Sequence, residues 1–176
     1  MNSALLTILI TFWKLIVFMP LEFQNLISKF LGYLINFIPI KRKRISKINI
    51  DLCFKDLNHK ERLSIYKKNI KAFARVIFDT GIAWFWSDNK INKNIPYKIK
   101  GLKNLLSNQN SGIGILLFFK HSLHLELDSR ILAMHAEIYG IEREHNSKKF
   151  ENIQKMGRLK SMKGITDREN TFTFMR

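Results

Sequence analysis

Ile113-Gly114-Ile115-Leu116-Leu117-Phe118-Phe119 runs directly into Lys120-His121-Ser122-Leu123-His124-Leu125-Glu126-Leu127-Asp128. The first seven residues are apolar, broken only by Gly114, and they follow the loop-like Ser107-Asn108-Gln109-Asn110-Ser111-Gly112. A run of that length and bounding predicts a strand buried on both faces, as in a parallel sheet. Beyond it a helix is predicted from about His124 to Tyr139 and another from about Lys148 to Leu159. Strand, turn and helix in that order predict an α/β layer domain. Parallel-sheet proteins place their sites where a strand ends, and His121 stands there.

His121 and Glu126 are five residues apart. Within one helix, five steps of ~100° would leave them ~140° apart, facing different ways. They can meet if His121 lies on the turn before the helix and Glu126 in its first turns. A carboxylate on one imidazole nitrogen fixes the tautomer, and the other nitrogen can then take a proton from a hydroxyl. Spacing alone does not separate such a pair from a chance one. A zinc reading of His121, His124 and Glu126 or Asp128 lacks a clear third ligand on one helical face, so no metal is assigned. His124 reads as a partly buried histidine.

Upstream, Asn58-His59-Lys60-Glu61 is a near capping box. It opens one long predicted helix with apolar Leu63, Tyr66, Ile70, Phe73, Ala74, Ile77, Phe78 and Ile82, ending at Trp84-Phe85-Trp86. That aromatic cluster reads as core packing or an interfacial belt. Residues 88–95 read as a loop, Tyr97-Lys98-Ile99-Lys100 as a short edge strand, and Gly101 to Leu106 as a helical turn.

The N-terminal part is of another kind. Ala4 to Pro20 is apolar apart from Thr7, Thr11 and Lys14. As a helix it reaches about 25 Å, slightly less than the ~30 Å hydrocarbon core of a bilayer. It predicts an uncleaved anchor, spanning or half-inserted, because Met1-Asn2-Ser3 lacks a basic start and Phe18-Met19-Pro20-Leu21 is a poor cleavage site. Leu21, Phe23, Leu26, Ile27, Phe30, Leu31, Leu34 and Ile35 fall at helical spacings and predict an amphipathic helix on the bilayer or on the catalytic body. Lys41-Arg42-Lys43-Arg44 then reads as a basic clamp on anionic lipid, with the chain beyond it cytoplasmic. The expected organisation is an anchor and amphipathic helix over 1–40 and a polar body over 41–176.

The charge agrees with that division. Of 176 residues, 30 are Lys or Arg and 14 Asp or Glu, a formal net charge of +16. Residues 1–40 carry only +1, so almost all the excess lies beyond them. A surface so basic should meet something anionic: acidic lipid, a phosphorylated substrate, an acidic carrier protein or nucleic acid. The hydrophobic share of 46% excludes wholesale disorder. The one cysteine, Cys53, excludes a disulfide-built extracellular scaffold.

Taken in order, the anchor, Asn49-Ile50-Asp51-Leu52-Cys53-Phe54, Ala83-Trp84-Phe85-Trp86, the His121/Glu126 motif, Gly157-Arg158-Leu159-Lys160-Ser161 and Asp167-Arg168-Glu169 resemble the late acyltransferases of lipid A biosynthesis. The resemblance implies a mixed or parallel sheet flanked by helices, of the glycerolipid-acyltransferase type. It implies transfer of a fatty acyl group from acyl carrier protein to a hydroxyl of a phosphorylated glycolipid at the bacterial inner membrane, catalytic part in the cytoplasm, without a cofactor or nucleic acid. His121 would be the general base and Glu126 its orienting partner. Arg158 would bind acceptor phosphate or stabilise developing charge, and Arg143 matches a further family arginine more loosely. Lys120 stands where the family usually has a small residue, and Glu144 where it usually has proline. The family continues beyond the strand, helix and motif content found here, which implies an incomplete sheet and a chain resembling the N-terminal part of a member. The rival expectation is a non-catalytic, membrane-anchored basic protein binding lipid or nucleic acid.

Overall fold

The computed structural model describes residues 3–143, 145 and 147–174. Glu144, which replaces the expected proline, lies outside them. In order come α1 (Ser3–Phe18), α2 (Leu21–Ile35), α3 (Lys41–Cys53), α4 (His59–Phe73), α5 (Arg75–Phe85), α6 (Asp88–Asn94), α7 (Leu102–Asn110), α8 (Leu125–Ala133), β1 (Tyr139–Glu142), α9 (Lys148–Arg158), β2 (Gly164–Asp167) and α10 (Thr171–Phe174). They form two compact units: residues 16–78, and residues 1–15 together with 79–176.

In the unit of residues 16–78, α2 and α4 pack together with α3 beside α4. The predicted capping box forms: the Glu61 amide donates to Asn58 Oδ1 at 3.0 Å, and the Asn58 amide donates to Glu61 Oε2 at 2.9 Å. The single long helix expected after it is two, α4 and α5, broken at Ala74. No glycine or proline stands at the break, so no local residue signals it.

Helix α2 has the expected periodicity with inverted polarity. Its buried positions are Gln24, Ser28 and Gly32, while Phe23, Leu26, Phe30 and Tyr33 are more than half exposed. The small polar face is what permits close packing: a Cβ on Gly32 would lie 2.9 Å from the Lys71 carbonyl oxygen. Gln24 Nε2 donates to the carbonyls of Val17 and Met19, both at 2.8 Å, which secures the turn around Pro20. Within the basic run, Lys43 has a structural task. Its ammonium donates to the carbonyls of Ile35, Asn36 and Ile38, at and just beyond the end of α2. Lys41, Arg42 and Arg44 are exposed.

Among the described residues, no helix is long and apolar enough to cross a membrane. This corrects the spanning form of the anchor. With 16 residues, α1 reaches about 24 Å, short of the ~30 Å required. It is apolar on two faces. Leu6, Ile10 and Val17 are buried, while Leu5, Ile8, Leu9, Phe12 and Leu15 form an exposed stripe at helical spacing.

The other unit is mostly helical with a two-stranded sheet. β1 and β2 are parallel, with Tyr139 opposite Gly164 and Glu142 opposite Asp167. Parallel strands need a crossover, and α9 supplies it. The α/β class therefore holds, but the strands are not those predicted. Ile113–Phe119 is irregular and exposed, Phe118 at 90%. A strand exists only through a ladder partner, and among the described residues none lies beside this run. Tyr97–Lys100 is likewise not a strand; the Tyr97 hydroxyl is held by Asn92 Oδ1 at 2.5 Å and His135 Nε2 at 2.7 Å. The loop expected over 88–95 is helix α6, because Ser87 caps it by accepting from the Lys90 amide. α8 ends at Ala133, so Tyr139 opens β1 instead of closing a helix. Trp84 and Trp86 are core, at 4% and 2% exposure.

Candidate functional site

Glu126 is the second residue of α8 and Arg158 the last of α9. Each suits its helix end, a carboxylate at the positive N-terminus and a guanidinium at the negative C-terminus. Glu126 Oε2 accepts from Trp84 Nε1 at 2.8 Å and from Arg158 Nε at 3.1 Å, and Glu126 Oε1 pairs with Arg158 Nη2. The remaining Arg158 nitrogen, Nη1, pairs with Glu142 at the end of β1. One guanidinium thus joins α8, α9 and β1, and the indole N–H of α5 completes the set. All three charged side chains are about four-fifths buried or more.

Gly157 makes this approach possible. A Cβ there would lie 2.5 Å from Trp84 Cγ, so only glycine lets α9 press on the indole. Burial alone would lower the Arg158 pKa, but hydrogen bonds and charge from Glu126, then Glu142, outweigh it and raise it. Arg158 stays charged, and two carboxylates take its donor edges.

His121 occupies the predicted position, in the segment just before α8, and is exposed. Among the described residues its side chain has no hydrogen-bond partner, and both oxygens of Glu126 are engaged elsewhere. Lys120 beside it is exposed too. Arg143 is exposed immediately after β1. The structure therefore brings Glu126 and Arg158 together and leaves His121 and Arg143 apart from them.

A different histidine has a carboxylate. His124 Nδ1 lies 2.5 Å from Oδ2 of Asp79, whose side chain is 5% exposed against 52% for the imidazole. An ionised carboxylate can only accept, so Nδ1 donates and Nε2 is the basic nitrogen. The sequence reading missed Asp79, Glu142 and the bonding role of Trp84. Asp79 and His124 are 45 positions apart, and no periodicity links them. The Trp84 indole could have been suspected, because a buried indole N–H needs an acceptor.

A profile described as "Bacterial lipid A biosynthesis acyltransferase" matches residues 2–176. A lipid A biosynthesis acyltransferase of Haemophilus influenzae is 34% identical over 163 residues, covering 92% of this chain and 51% of the relative. A lipid A biosynthesis palmitoleoyltransferase of Escherichia coli is 30% identical over 130 residues, covering 74% of this chain and 42% of the relative. A lipid A biosynthesis lauroyltransferase of the same organism is 32% identical over the same coverage. The chain spans about half the length of the curated relatives it matches. No solved structure matches.

Proposed function

The chain belongs to the bacterial lipid A biosynthesis acyltransferase family, and from that premise we propose that it carries the N-terminal part of an acyltransferase site. The reaction is transfer of a fatty acyl group from acyl carrier protein to a hydroxyl of a phosphorylated glycolipid, a lipid A precursor. The observation supporting this reading is the Trp84–Glu126–Arg158–Glu142 network, which unites three of the family-like motifs around one charge.

In this mechanism His121 removes the acceptor proton as the hydroxyl oxygen bonds to the thioester carbonyl carbon. The carbon–sulfur bond then breaks, and the leaving thiolate takes up a proton. A hydroxyl is a poor nucleophile at neutral pH, and a positioned base contributes ~10²–10⁴-fold. Glu126 and Arg158 are positioning residues, holding the helix that follows His121. Attachment is to the inner membrane surface, catalytic part towards the cytoplasm, through the exposed apolar stripes of α1 and α2.

The test is radiolabelled acyl carrier protein with a phosphorylated glycolipid acceptor. It is run on this chain and on one extended to the length of its relatives. His121→Ala should lower transfer by ~10²–10⁴-fold with acceptor binding nearly unchanged; an active protein indifferent to His121→Ala rejects the assignment. A second reading is favoured by the His124–Asp79 contact: His124 is the base, oriented by a buried carboxylate as His121 is not. In that case His124→Ala carries the loss and Asp79→Asn follows it.

A further inference from the structure

The Asn49–Phe54 box closes α3, and its residues divide between two sides of the helix. Ile50 is buried. Asp51 pairs with Arg62 of α4 at 3.2 Å, and one turn earlier Ser46 Oγ donates to Asn69 Oδ1 of α4 at 2.9 Å. That side of α3 is held on α4. Ile45, Ile48 and Leu52 stand at i, i+3 and i+7, a stripe on the side opposite Ile50. All three are exposed, Leu52 at 60%. One exposed aliphatic residue is ordinary, but three on successive turns make an unpartnered face.

The surroundings of the stripe select its partner. Lys41 lies on it one turn before Ile45, Arg44 borders it, and both are exposed. The carboxylate of α3, Asp51, is engaged with α4 instead. Aliphatic groups rimmed by cations suit the boundary between acyl chains and headgroups of an anionic bilayer. There the methyl groups leave water and the cations meet phosphate. The apolar surface also runs on in chain order from α2. Leu26 and Phe30 are exposed, and so are Phe37 and Ile38 in the turn before α3. Lys43 fixes that turn by donating to the carbonyls of Ile35, Asn36 and Ile38. This continuity favours lipid over an acidic protein as the occupant.

We propose that α3 is a lipid-inserted element: Ile45, Ile48 and Leu52 enter the acyl-chain boundary of an anionic bilayer while Lys41 and Arg44 meet its headgroup phosphates. The proposal rests on the membrane attachment given under the proposed function, and it adds a third helix to that attachment. It also gives the Asn49–Phe54 box a task. Ile50 and Asp51 hold the helix on α4, which presents Leu52 outward.

The experiment uses the full chain with its single cysteine, Cys53, changed to Ser. A new cysteine is placed by Ile48→Cys, Leu52→Cys or Lys68→Cys and labelled with an environment-sensitive fluorophore. Lys68 is exposed on the side of α4 away from buried Ile70. With phosphatidylglycerol vesicles carrying a nitroxide on the acyl chain, labels at 48 and 52 should shift to the blue and lose at least half their emission. The label at 68 should do neither. Ile45→Gln with Leu52→Gln should weaken sedimentation with vesicles at least tenfold. Arg44→Gln should weaken it about fivefold on anionic vesicles, as for one basic group, and little on neutral ones. All these positions are exposed, so the fold should persist, as circular dichroism checks. Protein that sediments with vesicles while the labels at 48 and 52 stay in water overturns the proposal and leaves attachment by α1 and α2 standing. Failure to sediment overturns attachment and this proposal together. Equal quenching at 68 also overturns it, because the label would then report vesicle contact of any kind. So does a blue shift at 52 produced by acyl carrier protein without vesicles, which would make the occupant a protein. No readout needs acyl transfer, so loss of the His121 assignment leaves this result untouched, and the reverse holds too.

Discussion

Helix α2 and the α8–α9 pair both break the rule of apolar inside and polar outside, by different means. On α2 the inward positions are Gln24, Ser28 and Gly32, and the outward ones are aromatic and aliphatic. Around α8 and α9, charged groups are buried and held by one another. The first inversion is tolerable if the medium outside is itself apolar, since an exposed apolar face of this kind marks an interaction surface. The second is tolerable only while every charge keeps its partner. The two regions should therefore respond to different perturbations: α2 to the presence of lipid, the network to loss of a single atom group.

The network should give the largest effect. Arg158→Leu strands Glu126 and Glu142 in a mostly buried setting, and breaking such a set costs about 3–5 kcal/mol. About a fifth of each of Arg158 and Glu126 remains in contact with solvent, which puts the expectation at the lower end of that range. Urea denaturation of the variant, alone and with both glutamates changed to Gln, measures it. The triple variant should recover part of the loss. Equal stability of wild type and Arg158→Leu would remove the contrast between the two regions.

Vesicle binding comes next. Reversing Lys41, Arg42 and Arg44 to Glu should weaken attachment to anionic vesicles by about 3 kcal/mol, at ~1 kcal/mol per basic group lost. Neutral vesicles should be little affected. Lys43 is left out because it caps α2. Leu26→Gln with Phe30→Gln should weaken attachment to both vesicle types. Equal loss on both types from the charge reversals would point to misfolding instead.

On the packed side of α2, Gly32→Val should cost about 1–3 kcal/mol by overpacking against the Lys71 backbone. Phe30→Gln, on the exposed side, should leave the denaturation midpoint almost unchanged in the absence of lipid. Similar losses from the two would mean that the outward face is covered.

What the sequence revealed was local. Asn58 and Glu61 are three apart and bond each other, so their capping box was readable. The period of α2 was readable as well, although which face turns inward was not, because that depends on Gly32 meeting Lys71 on a distant helix. The strand assignment failed for the same reason. Ile113–Phe119 has strong apolar character and, among the described residues, no ladder, whereas Tyr139–Glu142 has a glycine and a charge and does pair. Strand character belongs to a pair of segments, and composition describes one. In the site, Gly157 and Arg158 were singled out by motif, but their reason lies in Trp84 and Glu142, which no spacing connects.

The smallest effect is the most local one and lies at the end of β2. Asp167 Oδ1 accepts from the amides of Asn170 at 2.8 Å and Glu169 at 2.9 Å, and both its oxygens accept from Asn170 Nδ2. Its pKa is lowered by the Asn170 backbone bond first, then by the Asn170 side chain. Asp167 is partly exposed, so, unlike the α8–α9 network, its carboxylate keeps water as an alternative partner and its contribution is small. A depressed folded-state pKa means that the unfolded chain binds the proton first as pH falls. The contribution is therefore complete above the ordinary aspartate value near ~3.9. It is lost as pH falls below that through the lower folded value. Asn170→Ala removes the side-chain bond while leaving the backbone one, so it should move the Asp167 titration part of the way up, as read by NMR of its carboxyl carbon. The Arg158→Leu loss should be far larger at neutral pH, where Asp167 is ionised in both states. A titration of Asp167 at the ordinary value in the wild type would mean that the turn does not persist in solution.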